Sequence, residues 1–182
     1  MSKAKSFERD GEKYVELISE EKINKRVKEL AKQLSDDYRD KCPILMGVLN
    51  GAFIFLADLI REMDIDCEVD FVKISSYGGG RVSLGFIKSK KGFDSDVDGR
   101  DVIVVEDIAD SGRSIKFLEK MFAGTNPASL KFVSLLLKED NAVVDFKLDY
   151  VGFNIPTKFV VGYGLDFDQK ERNLRSIYVI EE

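Results

Sequence analysis

Val104-Val-Glu-Asp-Ile-Ala-Asp-Ser-Gly-Arg-Ser114 decides how the chain is read. It starts inside Val102-Ile-Val-Val105, a continuous β-branched run of the kind that lies mid-sheet between two covered faces. The run delivers two adjacent carboxylates, Glu106 and Asp107, at its C-terminal end. Asp110, Ser111, Gly112, Arg113 and Ser114 then open a helix with Ile115, Leu118, Met121 and Phe122 as its apolar stripe. Gly124 is expected to close that helix as a C-cap. In open α/β sheets, ligands bind at the carboxyl ends of the strands. Backbone N–H groups at a helix start, with serine hydroxyls beside them, form an anion site. Gly112 permits close backbone approach or a positive φ. Carboxylates for hydroxyls or magnesium, next to a phosphate cradle, together suit a sugar phosphate.

Working outward, residues 19–39 read as a helix capped by Ser19, with Ile23, Val27, Leu30, Ala31 and Leu34 at helical spacing. Residues 43–49 form a short apolar run, a buried strand that Asn50-Gly51 breaks before a second helix over 52–63. Alternation predicts a strand over 67–75. Residues 76–99 are rich in Gly and charge and read as a long loop with a hairpin inside. Further strands are expected at 130–138, 159–161 and 177–180. Strands alternating with helices predict an α/β fold with a mainly parallel twisted sheet flanked by helices.

Composition narrows the chemistry. The chain has 182 residues, 28 Lys+Arg against 33 Asp+Glu, a formal charge of -5, and no His. One domain with a full core fits this length. Without His there is no imidazole base, no Ser-His-Asp triad and no His-based zinc site. Acid–base work falls to carboxylates, Lys, Tyr or Cys, and any metal is a hard cation on oxygen. The acidic balance argues against nucleic-acid binding. The N-terminal stretch lacks the apolar core of a signal peptide, and no apolar run reaches membrane-spanning length, so a cytoplasmic protein with no membrane partner is expected. Cys42 and Cys67, isolated in sequence, read as buried free thiols of a reducing compartment.

The 104–114 block resembles the phosphoribosyl-pyrophosphate signature of the type I phosphoribosyltransferases. Four more blocks resemble the 6-oxopurine branch of that family, in its shorter bacterial form. Val48-Leu-Asn-Gly-Ala-Phe53 is similar to its pyrophosphate loop, and Ile74-Ser-Ser-Tyr-Gly78 to its flexible catalytic loop. Lys147-Leu-Asp-Tyr-Val-Gly-Phe153 and Lys158-Phe-Val-Val-Gly-Tyr-Gly-Leu-Asp166 are similar to its purine-binding hood. The resemblance implies a single phosphoribosyltransferase domain over 1–182. Its core spans about 19–145, a small hood is built from the N-terminal segment and about 146–182, and a flexible loop spans about 75–99.

The implied reaction displaces pyrophosphate from phosphoribosyl pyrophosphate by N9 of a 6-oxopurine, hypoxanthine first and guanine next, giving IMP or GMP in purine salvage. By the same resemblance Glu106 and Asp107 bind ribose and organise Mg²⁺, and Asp110 is the general base. Ser111, Gly112, Arg113 and Ser114 hold the 5′-phosphate. Lys147 donates to the purine O6, Phe159 stacks on the base, and the backbone at Val160 and Asp166 reads its remaining edge. Asp166 also ligates a second Mg²⁺. Leu49, Asn50, Gly51 and Arg172 receive pyrophosphate, and the Leu49-Asn50 peptide is expected to be cis. Asn50 stands where mammalian members carry Lys, which shifts pyrophosphate binding toward backbone and metal. Ser76 and Tyr77 belong to the lid that excludes water. The family implies a homodimer or homotetramer.

Two other classes compete. A regulatory protein of the same fold, binding nucleic acid with a nucleotide effector, calls for a basic face. The basic clusters here are interleaved with acids or confined to the loop, and Asp110 favours the enzyme. A receiver-like phosphoacceptor would use Glu106 and Asp107 as an acidic pocket, but leaves the Ser-Gly-Arg-Ser loop and the C-terminal blocks unexplained.

Overall fold

The computed structural model describes residues 5–76 and 87–181. The chain opens with an unanticipated hairpin of β1 (Ser6–Arg9) and β2 (Glu12–Ile18), turned at Asp10 and Gly11, both at positive φ. An Asp-Gly pair between strands is a hairpin signal, because a two-residue turn of this hand needs positive φ. Helix α1 (Glu20–Asp37) follows, with Ser19 Oγ accepting from the Lys22 N–H at 3.4 Å. Glu20 and Glu21 in its first turn complement the helix dipole.

Then come β3 (Ile44–Leu49), α2 (Phe53–Glu62), β4 (Glu68–Ser76), β5 (Ile87–Lys91) and β6 (Asp101–Ala109). Helix α3 (Arg113–Phe122), β7 (Ser129–Leu137), β8 (Tyr150–Asn154), β9 (Val160–Val161) and β10 (Ile177–Ile180) complete the chain. The main sheet has the order β5-β4-β3-β6-β7-β8, parallel except at its β5 edge. A smaller antiparallel sheet, β1-β2-β10-β9, is built from N-terminal and C-terminal strands, the segments expected in the hood.

The β-branched run is apolar throughout because both faces are covered. Ile103 and Val105 turn into the core shared with α1 and α2. Val102 and Val104 turn into a second core with Ile115, Leu118 and Phe122 of α3. Strand β6 outlasts its apolar run because its ladder to β7 continues to Ala109↔Leu137.

The structure adjusts three expectations. Gly124 does not cap α3; the last turn tightens instead, with Ala123 N donating to Lys120 O at 3.3 Å. The Cys42 thiol is exposed and Cys67 is half-buried, both free, because they lie in the entries to β3 and β4 and not inside those strands. Strand β8, placed in the hood by resemblance, is the last strand of the main sheet. Among the described residues no helix is long and apolar enough to cross a membrane. Tyr77 and the glycines after it lie outside the described residues.

Buried Asp70 ties residues 94 and 95, which follow β5, to the sheet. Its carboxylate accepts from the N–H groups of Phe71 (2.6 Å), Asp94 (2.7 Å) and Ser95 (2.8 Å). Burial by itself would raise its pKa, but these three donors outweigh burial and hold it at about 2. The folded pKa lies below the ordinary Asp value, so the stabilisation is full above about pH 4 and is lost as pH falls toward about 2. Asp70→Asn is expected to cost about 2 kcal/mol near neutral pH. In urea denaturation at a series of pH values, the gap to the parent should close in acid; a gap that is constant with pH would refute this account.

Candidate active site

The chain runs from β3 through α2 to β4 on one side of the sheet, and from β6 through α3 to β7 on the other. The strand order therefore reverses between β3 and β6, and a crevice is expected there. The ladder shows how it opens. Strands β3 and β6 pair only as far as Gly47↔Val105. Beyond that, β3 stays with β4 to Leu49↔Lys73 and β6 stays with β7 to Ala109↔Leu137. The turn after β3, at 50–52, and the end of β6 with its turn into α3, at 106–112, face each other.

They are in contact. A Cβ on Gly51 would overlap the carboxylate of Asp107, so only glycine allows this approach. The Leu49-Asn50 peptide is cis. A third loop joins from the hood, where Gly164, at φ 100°, lies against the Gly51 carbonyl. Arg172 is locked onto that loop, donating to Gly164 O at 2.7 Å and pairing with Asp166 at 2.7 Å. Asp166 also accepts from Gln169 N at 2.8 Å. Beside Arg172, the buried Glu171 has a left-handed backbone, φ 70°, and pairs with Arg9 of β1.

Glu106 is 4% exposed and meets both Asp107 and Ser114. Burial first, then the Asp107 charge, pushes Glu106 well above the usual carboxylate range. Burial also raises Asp107, while the hydrogen bond from Glu106 and the Arg172 charge oppose it. Of the two crowded carboxyls, burial and its neighbour's charge disfavour the ionised form of Glu106 the more strongly. Gly112 begins α3 at φ 77° with no side-chain cap, and the Phe146 ring fills the space a Cβ would need. The N–H groups of the first turn are left to face an anion.

At the neighbouring strand end, Lys138 N donates to Ala109 O, and the buried Lys138 ammonium lies 3.2 Å from Asp110 Oδ2. Asn141 donates its side-chain N–H to Asp110 Oδ1. The structure does not bring Lys147 to this place. Its side chain is 83% exposed and pairs at 3.8 Å with Asp149, which binds Lys131 and Phe132 N at the opposite end of β7. By strand rise that is roughly 20 Å from Lys138. The signal missed was positional: a Lys ending an apolar strand beside β6 belongs to the ligand edge, whereas likeness within a hood block selected Lys147. Phe159 packs in the hood cluster with Tyr14, Val161 and Tyr178, edge-on to Phe167 at 5.7 Å. Val160 is buried in β9. Ser76 closes β4, and Tyr77 lies outside the described residues.

Residues 14–168 match the phosphoribosyl transferase domain family. The chain belongs to this family. It is 47% identical over 165 residues to the hypoxanthine-guanine phosphoribosyltransferase of Bacillus subtilis, covering 91% of this chain and 92% of that one. It is 44% identical over 173 residues to the enzyme of that name from Aquifex aeolicus, covering 94% and 97%. The crystal structure of a hypoxanthine phosphoribosyltransferase from Staphylococcus aureus superposes with a TM-score of 0.85 at 37% identity, covering 91% of this chain and 90% of that one.

The acidic residues fit a phosphoribosyltransferase metal site in a limited way. Among the described residues no three His, Cys, Asp or Glu side chains cluster to hold an ion unaided. Glu106 and Asp107 are a crowded pair of hard oxygen donors, which suits magnesium completed by substrate oxygens. Asp166, engaged by Arg172, offers less. The crowding has its own consequence. A carboxyl whose pKa is raised on folding costs stability as pH climbs above its unfolded value. Glu106→Gln, an uncharged donor to Asp107, is expected to melt above the parent near neutral pH, with the difference shrinking in acid. Thermal melts across pH read this directly, and a lower melting temperature at every pH would refute it.

Proposed function

We propose that the chain transfers the 5-phosphoribosyl group of phosphoribosyl pyrophosphate to N9 of hypoxanthine, and of guanine, releasing pyrophosphate in purine salvage. The observation that carries this is the buried Lys138 ammonium against Asp110, beside a carboxylate pair and an uncapped helix start at the split of the sheet. The relatives named above supply the substrate class.

In this reaction the bond from C1′ to the pyrophosphate oxygen breaks and the bond from N9 to C1′ forms. The purine loses its N7 proton to Asp110. The transition state carries positive charge on the ribosyl carbon, so the protein needs no nucleophile, only positioning and charge complementarity. Glu106 and Asp107 accept from the ribose hydroxyls. Ser111, Gly112, Arg113 and Ser114 take the 5′-phosphate at the start of α3. Leu49, Asn50 and Gly51 face pyrophosphate, and Arg172 clamps it with a charged fork. Phe159 stacks on the base, and the backbone at Val160 and Asp166 reads its edge. Glu106 and Asp107, with Asp166 at a second position, would hold magnesium, which would supply charge neutralisation at the pyrophosphate.

Lys138, in place of Lys147, is the donor to O6. A 6-oxo group accepts and a 6-amino group donates, so an ammonium at this position selects against adenine. The family's homodimer or homotetramer and a cytoplasmic location belong to the same reading; the half-exposed Phe53 beside the pyrophosphate loop is apolar surface suited to a second copy.

The direct test measures product from phosphoribosyl pyrophosphate with hypoxanthine, guanine, xanthine and adenine in parallel. Turnover with hypoxanthine and guanine and none with adenine is expected; no product from any 6-oxopurine would sink the proposal. Lys138→Ala should lower kcat/KM for hypoxanthine roughly ten- to a hundredfold, the scale of a lost charged hydrogen bond. Lys147→Ala should leave it within about twofold. The reverse ranking would return the O6 contact to Lys147.

A further inference from the structure

We propose that Asn141 is a positioning residue for proton transfer, fixing the Asp110 carboxylate in the orientation that meets the purine. This rests on the reading of Asp110 as the base. Asn141 ends a single 3-10 turn, Glu139–Asn141, directly after Lys138, and its own N–H donates to Lys138 O at 3.2 Å. Its side-chain amide donates to Asp110 Oδ1, while Lys138 holds Oδ2 at 3.2 Å. An ionised carboxylate is acceptor-only, so the amide must present its nitrogen.

Each carboxylate oxygen has about two acceptor positions, so one donor on each leaves one free on each for substrate. The terminal torsion of Asp is broad and weakly restrained. With Lys138 as sole tether the group could swing about Oδ2; a second donor on Oδ1 stops that rotation. The side chain is 40% exposed, so the restraint leaves it open to a ligand.

The turn does not depend on this amide for its own placement. Val143 N and Val144 N donate to Ser111 O at 3.1 and 3.4 Å and hold the segment against the phosphate loop. Removing the amide should therefore free Asp110 without unfolding its surroundings.

The experiment compares the parent, Asn141→Ala, Asp110→Asn and the double variant, with hypoxanthine and phosphoribosyl pyrophosphate as substrates. Asn141→Ala is expected to lower kcat roughly ten- to a hundredfold, as small misplacements of reacting groups do. KM for phosphoribosyl pyrophosphate should stay within about twofold and the melting temperature close to the parent's. In the Asp110→Asn background Asn141→Ala should cost nothing further, because no base remains to be oriented. Unchanged kcat in Asn141→Ala, or an equal loss in both backgrounds, would overturn the positioning role and leave Asp110 as base. Full turnover in Asp110→Asn would overturn the base and its positioning together.

Discussion

The site depends on how closely Asp107 can lie against Gly51. Two strands that pair up to Gly47↔Val105 part company one residue later, each kept straight by its outer neighbour. A gap of that kind would ordinarily be filled by side chains. Here it is bridged by a carboxylate resting on a glycine, with a second glycine, Gly164, closing from the hood. The contact sets the distance between the Glu106-Asp107 pair and the loop at Asn50-Gly51, and through Gly164 it fixes where Arg172 stands.

Around this contact most charges are already matched. Arg172 is held by Asp166 and Lys138 by Asp110, while Glu106 and Asp107 are crowded against each other in a buried pair. In this acidic chain with no His, Arg172 and Lys138 at the split of the sheet are tethered and the start of α3 carries no side-chain cap. Tethered groups reorganise little when charge develops, which is the condition under which electrostatic catalysis works well.

The parallel core was readable because each element carried its own period: Ile23 to Leu34 at helical spacing, and Val102 to Val105 without alternation. The acidic block was readable because its spacing places two functions at one strand end. What escaped depended on tertiary context. Lys138 looks like the tail of a strand until β7 is known to lie beside β6. The β1–β2 hairpin was hidden by its charged residues, although Asp10-Gly11 announced the turn. Gly124 had the right type for a cap, but the helix ended by tightening its last turn. Lys147 stands nine positions from Lys138 in the sequence and about a strand's length from it in space.

The Arg9–Glu171 pair ties the start of the chain to the residue preceding Arg172. The first strand looks like a decorative edge of the hood, remote from the acidic block by about a hundred positions. Mechanically it is a brace, since the buried Glu171 carboxylate draws its compensating charge from it. Changes made for convenience at that end, such as trimming residues or fusing a tag, therefore press on the loop that holds Arg172.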